Sequence, residues 1–75
     1  MINGYLLITT ASGREKDVLT ALRKIKDVET ANIVYGEYDI IVKIRSQNSQ
    51  KLNEFVTAEI RKIAGIQNTY TLISS

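Results

Sequence analysis

Residues 28–45 read VETANIVYGEYDIIVKIR, two runs of strand composition around the corner Tyr35-Gly36-Glu37-Tyr38-Asp39. Val28 to Tyr35 and Tyr38 to Arg45 are rich in β-branched and aromatic residues, which suit a pleated, half-buried surface. The link between them is too short for anything but antiparallel pairing. In the second run Tyr38, Ile40, Val42 and Ile44 share one face by strand alternation, and Asp39, Ile41, Lys43 and Arg45 take the other. The corner therefore places Asp39 at the mouth of a sheet.

Outward from this hairpin, two helices are expected. Upstream, Ser12-Gly13-Arg14-Glu15 has the form of a capping box, in which the Ser12 hydroxyl accepts from the Glu15 N–H. Val18, Leu19, Leu22 and Ile25 then recur at helical spacing, and the helix is expected to run to about Lys26. Downstream, Ser46 to Gln50 is a polar turn with several candidate N-caps, followed by the apolar stripe Leu52, Phe55, Val56, Ile60 and Ile63. Gly65 ends this second helix as a left-handed cap would.

Strands are expected at both ends of the chain. Ile2 to Thr10 is apolar on both faces, with Leu6 and Ile8 one way and Tyr5 and Leu7 the other. Ile66 to Ser74 places Thr69, Thr71 and Ile73 on one face and Asn68, Tyr70 and Leu72 on the other. Leu22-Arg23-Lys24-Ile25 before Val28 repeats as Ile60-Arg61-Lys62-Ile63 before Ile66. Two βαβ halves follow, and right-handed crossovers put both helices on one side of a four-stranded antiparallel sheet. The fold class is α+β, a ferredoxin-like βαββαβ domain over residues 1–75. Tyr5, Leu7, Ile41 and Ile73 are then left for the uncovered face, where a second subunit would bury them.

With 75 residues, and with neither cysteine nor histidine, the chain lacks the disulfide and zinc supports that small domains recruit. Oligomerisation is the remaining one. The same absence removes cysteine nucleophiles and histidine general bases, and no carboxylate pair stands at an evident catalytic spacing, so the chain does not read as an enzyme. No cofactor or metal is implied. A formal charge of +2 is too small to mark a nucleic-acid footprint. Arg23, Lys24 and Lys26, and Arg61 with Lys62, fall at helix C-terminal ends where cations complement the macrodipole. No signal-peptide pattern is present and no apolar run approaches the roughly 20 residues of a bilayer span. A soluble, cytoplasmic protein with no membrane partner is expected.

The polar groups leave two readings of Asp39. It can cap the hairpin, with Thr69 and Thr71 as ordinary strand residues. Alternatively, a carboxylate, two hydroxyls projecting together and loop N–H groups suit a ligand bearing both an ammonium and a carboxylate, as an α-amino acid does.

Gly36-Glu37-Tyr38-Asp39 between two strands, the Arg-Lys-Ile helix end before Ile66, and the last strand with Thr69-x-Thr71 resemble the effector-binding (RAM) domain of the Lrp/AsnC transcription regulators, over essentially the whole chain. The resemblance implies ferredoxin-like units that dimerise through their sheets and assemble into rings, with small effectors, commonly amino acids, bound between subunits. It implies ligand-binding roles for Gly36, Tyr38, Asp39, Thr69 and Thr71. Family regulators carry an N-terminal helix-turn-helix domain, for which these residues have no room. A stand-alone module is therefore expected, without direct DNA binding, which assembles with itself or with full-length regulators. The competing reading is an ACT-like or purely oligomerising module with no ligand of its own. An RRM-like RNA platform fits poorly, because Ile41 and Lys43 stand where stacking aromatics are needed.

Overall fold

The computed structural model describes residues 1–74. Strands β1 (Ile2–Thr10), β2 (Val28–Ile33), β3 (Ile40–Ser46) and β4 (Ile66–Ser74) form one antiparallel sheet in the order β2-β3-β1-β4. Helix α1 (Glu15–Arg23) joins β1 to β2. Helix α2 (Ser49–Phe55), carried on by a π-helical turn over Val56–Ile60, joins β3 to β4. This is the ferredoxin-like βαββαβ arrangement.

The core lies between the helices and one sheet face. Leu6 and Ile8 of β1, Ala31 of β2, and Ile40, Val42 and Ile44 of β3 are buried there. Val18 and Leu22 of α1, and Leu52, Val56 and Ile60 from α2 and its π turn, complete it. Each set follows the period of its element, two in the strands and three to four in the helices. Gly4 is the one β1 position on this face without a side chain, and a Cβ there would stand 2.7 Å from a terminal carbon of Leu52. α2 crosses the sheet over that gap.

Several local expectations change. α1 begins at Glu15 with no side-chain cap. The Glu15 carboxylate accepts from the Gly13 N–H at 3.1 Å, because the chain turns through a positive φ of 81° at Gly13 before the helix starts. Its end is at Arg23, not near Lys26, as the N–H groups of Lys24 and Ile25 bond back to Ala21 and Leu22 in three-residue turns. Asn48 caps α2, its side chain accepting from the Lys51 N–H at 2.9 Å. Within the π turn the Arg61 N–H reaches Val56 O at 3.0 Å, five residues back.

The sheet register also corrects two face assignments. Gly4 of β1 opposes Ile73 of β4, and directly opposed residues project to the same side of an antiparallel pair. Ile73 therefore lies on the helix side, with Thr69 and Thr71, and not beside Tyr5. Tyr70 opposes Leu7 and Leu72 opposes Tyr5. Two rows thus cross the uncovered face: Ile41-Leu7-Tyr70 and Lys43-Tyr5-Leu72. Tyr38 joins them through an edge-to-face contact with Tyr70, ring centroids 5.6 Å apart. It precedes β3 and does not continue the pleat of Ile40, Val42 and Ile44.

Gly65 takes φ +100° after α2, as a left-handed cap does. A Cβ there would stand 3.0 Å from Val18 Cγ2 and 3.2 Å from Arg14 Cβ. Gly65→Ala is expected to cost about 1–2 kcal/mol from backbone conformation alone, read as a lower urea midpoint with an unchanged m-value.

Candidate functional site

The hairpin corner is a loop spanning 34–39, longer than the link 36–37 that the strands expected from composition leave. Its ends are tied by the Val34 N–H to Asp39 O bond, and Asp39 N–H donates to Ile8 O, both at 2.9 Å. β2 stops at Ile33 and β3 starts at Ile40 because the chain must turn through Gly36, at φ +140°. That conformation is uncommon for any residue with a side chain. Nothing lies within 4 Å of a Cβ built on Gly36, so the demand there is conformational and not steric. Tyr35 at the tip is almost fully exposed, at 97%.

Asp39 looks back into the fold. Its Oδ2 accepts from the Thr10 N–H at 2.8 Å and from the Thr10 hydroxyl at 3.3 Å. This partly buried link ties the corner to the end of β1, next to the bulge where the register against β4 shifts between Thr9 and Thr10. Asp39 also lines an open cleft of about 250 Å³ with Ile33, Val34 and Tyr35 of the hairpin and Glu15 and Lys16 of α1. Two carboxylates against one ammonium leave the rim with a formal charge of −1, which suits a cationic group.

Thr69 and Thr71 line a separate cleft of about 320 Å³ between α2 and β4, with Asn53, Val56, Thr57 and Arg61. Thr69 and Ile40 both oppose Ile8, from opposite sides of β1. Two strand spacings, about 10 Å, therefore separate Thr69 from the neighbour of Asp39. Gly36, Tyr38 and Asp39 are brought together at the corner, and the two threonines at the far edge. One chain does not join the two groups. Asp39 and the two threonines line different clefts of the same chain.

Thr10, Tyr70, Leu72 and Arg61 did not emerge from the sequence as site residues. Tyr70 and Leu72 were visible as one face of the last strand, but only the pairing register shows which side of the sheet that face takes. Thr10 is a non-local partner, 29 residues from Asp39. Among the described residues, no group of three or more acidic side chains could hold a metal ion, and no helix is long and apolar enough to cross a membrane.

The family model for the Lrp/AsnC ligand binding domain matches residues 4–75. The HTH-type transcriptional regulator FL11 of Pyrococcus abyssi is 35% identical over 69 residues, covering 92% of this chain and 45% of its own. The chain thus spans about half the length of the curated relatives it matches. The crystal structure of the hypothetical protein PHS023 from Pyrococcus horikoshii is 40% identical, with TM-score 0.91 over 100% of this chain and 90% of that one. E. coli AsnC superposes with TM-score 0.89 at 25% identity, over 96% of this chain and 49% of its own. FL11 is an HTH-type transcriptional regulator, which agrees with a regulatory, non-enzymatic module. The chain belongs to the Lrp/AsnC ligand-binding domain family.

Proposed function

We propose that this domain is an amino-acid-responsive assembly module of transcription regulation: one RAM unit over residues 1–75 that dimerises through its uncovered sheet face and binds an effector between subunits. The observation that carries it is the separation of Asp39 from Thr69 and Thr71. Two chains, one bringing Asp39 and the other its threonines, let a ligand with an ammonium and a carboxylate meet both groups. Asp39 takes the ammonium, the hydroxyls of Thr69 and Thr71 take the carboxylate, and Gly36 and Tyr38 shape the corner. Ile41, Leu7, Tyr5, Tyr70 and Leu72 supply the dimer face. Ile73, on the helix side of the edge strand, is at most at its rim. An effector held between subunits favours whichever assembly makes the better pocket, so ligand binding and oligomer size are linked. Rings of dimers, or mixed assemblies with full-length regulators of the family, are the forms this linkage acts on.

One observation favours the rival reading, a purely oligomerising module: Asp39 Oδ2 is already engaged by Thr10. Asp39→Asn separates the two. The amide oxygen still accepts from the Thr10 N–H, while the charge is lost. Isothermal titration against the standard amino acids, with sedimentation in parallel, is expected to show heat for at least one of them and a shift in oligomer size. Asp39→Asn is expected to weaken that binding by about tenfold to a hundredfold, the range for a hydrogen bond to a charged group, with an unchanged melting temperature. No heat with any amino acid, or unchanged affinity in the variant, refutes the effector role of Asp39.

A further inference from the structure

We infer that the cleft between α2 and β4 is a carboxylate-binding site whose counter-charge is Arg61. The chain has four arginines. Arg14 pairs with Asp17, Arg45 lies 3.9 Å from Glu29, and Arg23 donates twice to Ala31 O on the β2 edge. Arg61 is the only arginine whose side chain has no hydrogen-bond or ion-pair partner among the described residues. It lines two adjoining clefts, one with Asn53, Val56, Thr57, Thr69 and Thr71, the other with Ile66, Gln67, Asn68, Thr69 and Tyr70.

Neither lining contains a carboxylate. In the larger cleft the side chains of Asn53, Thr57, Thr69 and Thr71 likewise have no partner among the described residues, and each can donate a hydrogen bond. A permanent cation thus stands beside four uncommitted neutral donors with no competing acid. The guanidinium fork matches a carboxylate in two parallel bonds. The sequence places Asn53, Thr57 and Arg61 four residues apart, next to the buried row Leu52, Val56 and Ile60. The π turn keeps the two rows alongside each other through the end of α2. Against the site stands the negative end of the helix dipole, whose effect is confined to the last turn; a long arginine side chain carries its charge beyond it. The inference takes from the effector reading only that the natural ligand bears a carboxylate.

Acetate and inorganic phosphate, titrated at constant ionic strength into ¹⁵N-labelled protein, test it without any ammonium group. Acetate is expected to give saturable shifts at Thr57, Thr69, Thr71 and the Arg61 side chain. Arg61→Gln is expected to weaken this at least tenfold, and Arg61→Lys to recover part of it. Three results overturn the inference: shifts at Arg14 and Arg45 as large as at Arg61, affinity unchanged in Arg61→Gln, or saturation by phosphate alone. Saturable acetate binding together with amino-acid titrations that give no heat refutes the effector reading and leaves the carboxylate site standing.

Discussion

A chain carrying Tyr70→Glu and Leu72→Glu is expected to sediment as a folded monomer at concentrations where the unaltered chain forms the proposed dimer. Both side chains are about half exposed, at 50% and 54%, and lie on the sheet face opposite the core, so the folded monomer loses little. In the proposed dimer the same positions are buried, and an isologous interface repeats each one. An unpaired buried charge costs several kcal/mol, enough to weaken the dimer about a thousandfold or more. Sedimentation over a concentration series, with far-ultraviolet circular dichroism as the check on folding, reads the result. A dimer of unchanged affinity would show that the rows Ile41-Leu7-Tyr70 and Lys43-Tyr5-Leu72 face solvent and that subunits meet elsewhere. Ile73→Glu is the internal control. It lies across the sheet from that face and is expected to leave the dimer largely intact.

The second large effect is on stability. Leu52 is fully buried and occupies the space that Gly4 leaves open on β1. Leu52→Ala is expected to cost about 2–5 kcal/mol, against a total of about 4–11 kcal/mol for a chain of this length. Gly4→Ala alone forces a methyl to within 2.7 Å of the Leu52 side chain, an overpacking expected to cost about 1–3 kcal/mol. Combined, the two changes are expected to be far less than additive, because the methyl of Ala at position 4 enters the cavity that the shortened residue 52 leaves. Urea unfolding of the four chains of this cycle measures the coupling. Strict additivity would mean that α2 does not rest on β1 at this point.

Much of the fold was legible along the chain because it rests on local periods. Alternation in residues 40–44, helical spacing through Val18 and Leu22 and through Leu52, Val56 and Ile60, and glycine at position 65 each report the conformation of a few neighbouring residues. The repeated Leu/Ile-Arg-Lys-Ile ends set two equal halves, and chain handedness then allows one sheet order. The Tyr35–Asp39 corner was also legible as a turn, although its ends were placed inside the strands; strand composition does not mark where pleating stops.

By itself, then, the sequence determined the element order, the inward rows of β1, β3 and both helices, and a corner with an acid in it. Only the tertiary structure decided how β4 sits. Its two faces, Thr69-Thr71-Ile73 and Asn68-Tyr70-Leu72, are each part polar and part apolar, so neither composition nor period says which one meets the helices. Register is a property of two strands, and pairing Gly4 with Ile73 turned Tyr70 and Leu72 outward and the threonines toward α2. The same non-local pairing set Asp39 against Thr10 and away from the threonines, and brought Arg61 beside them. None of these contacts joins residues near enough in sequence for a local pattern to record them.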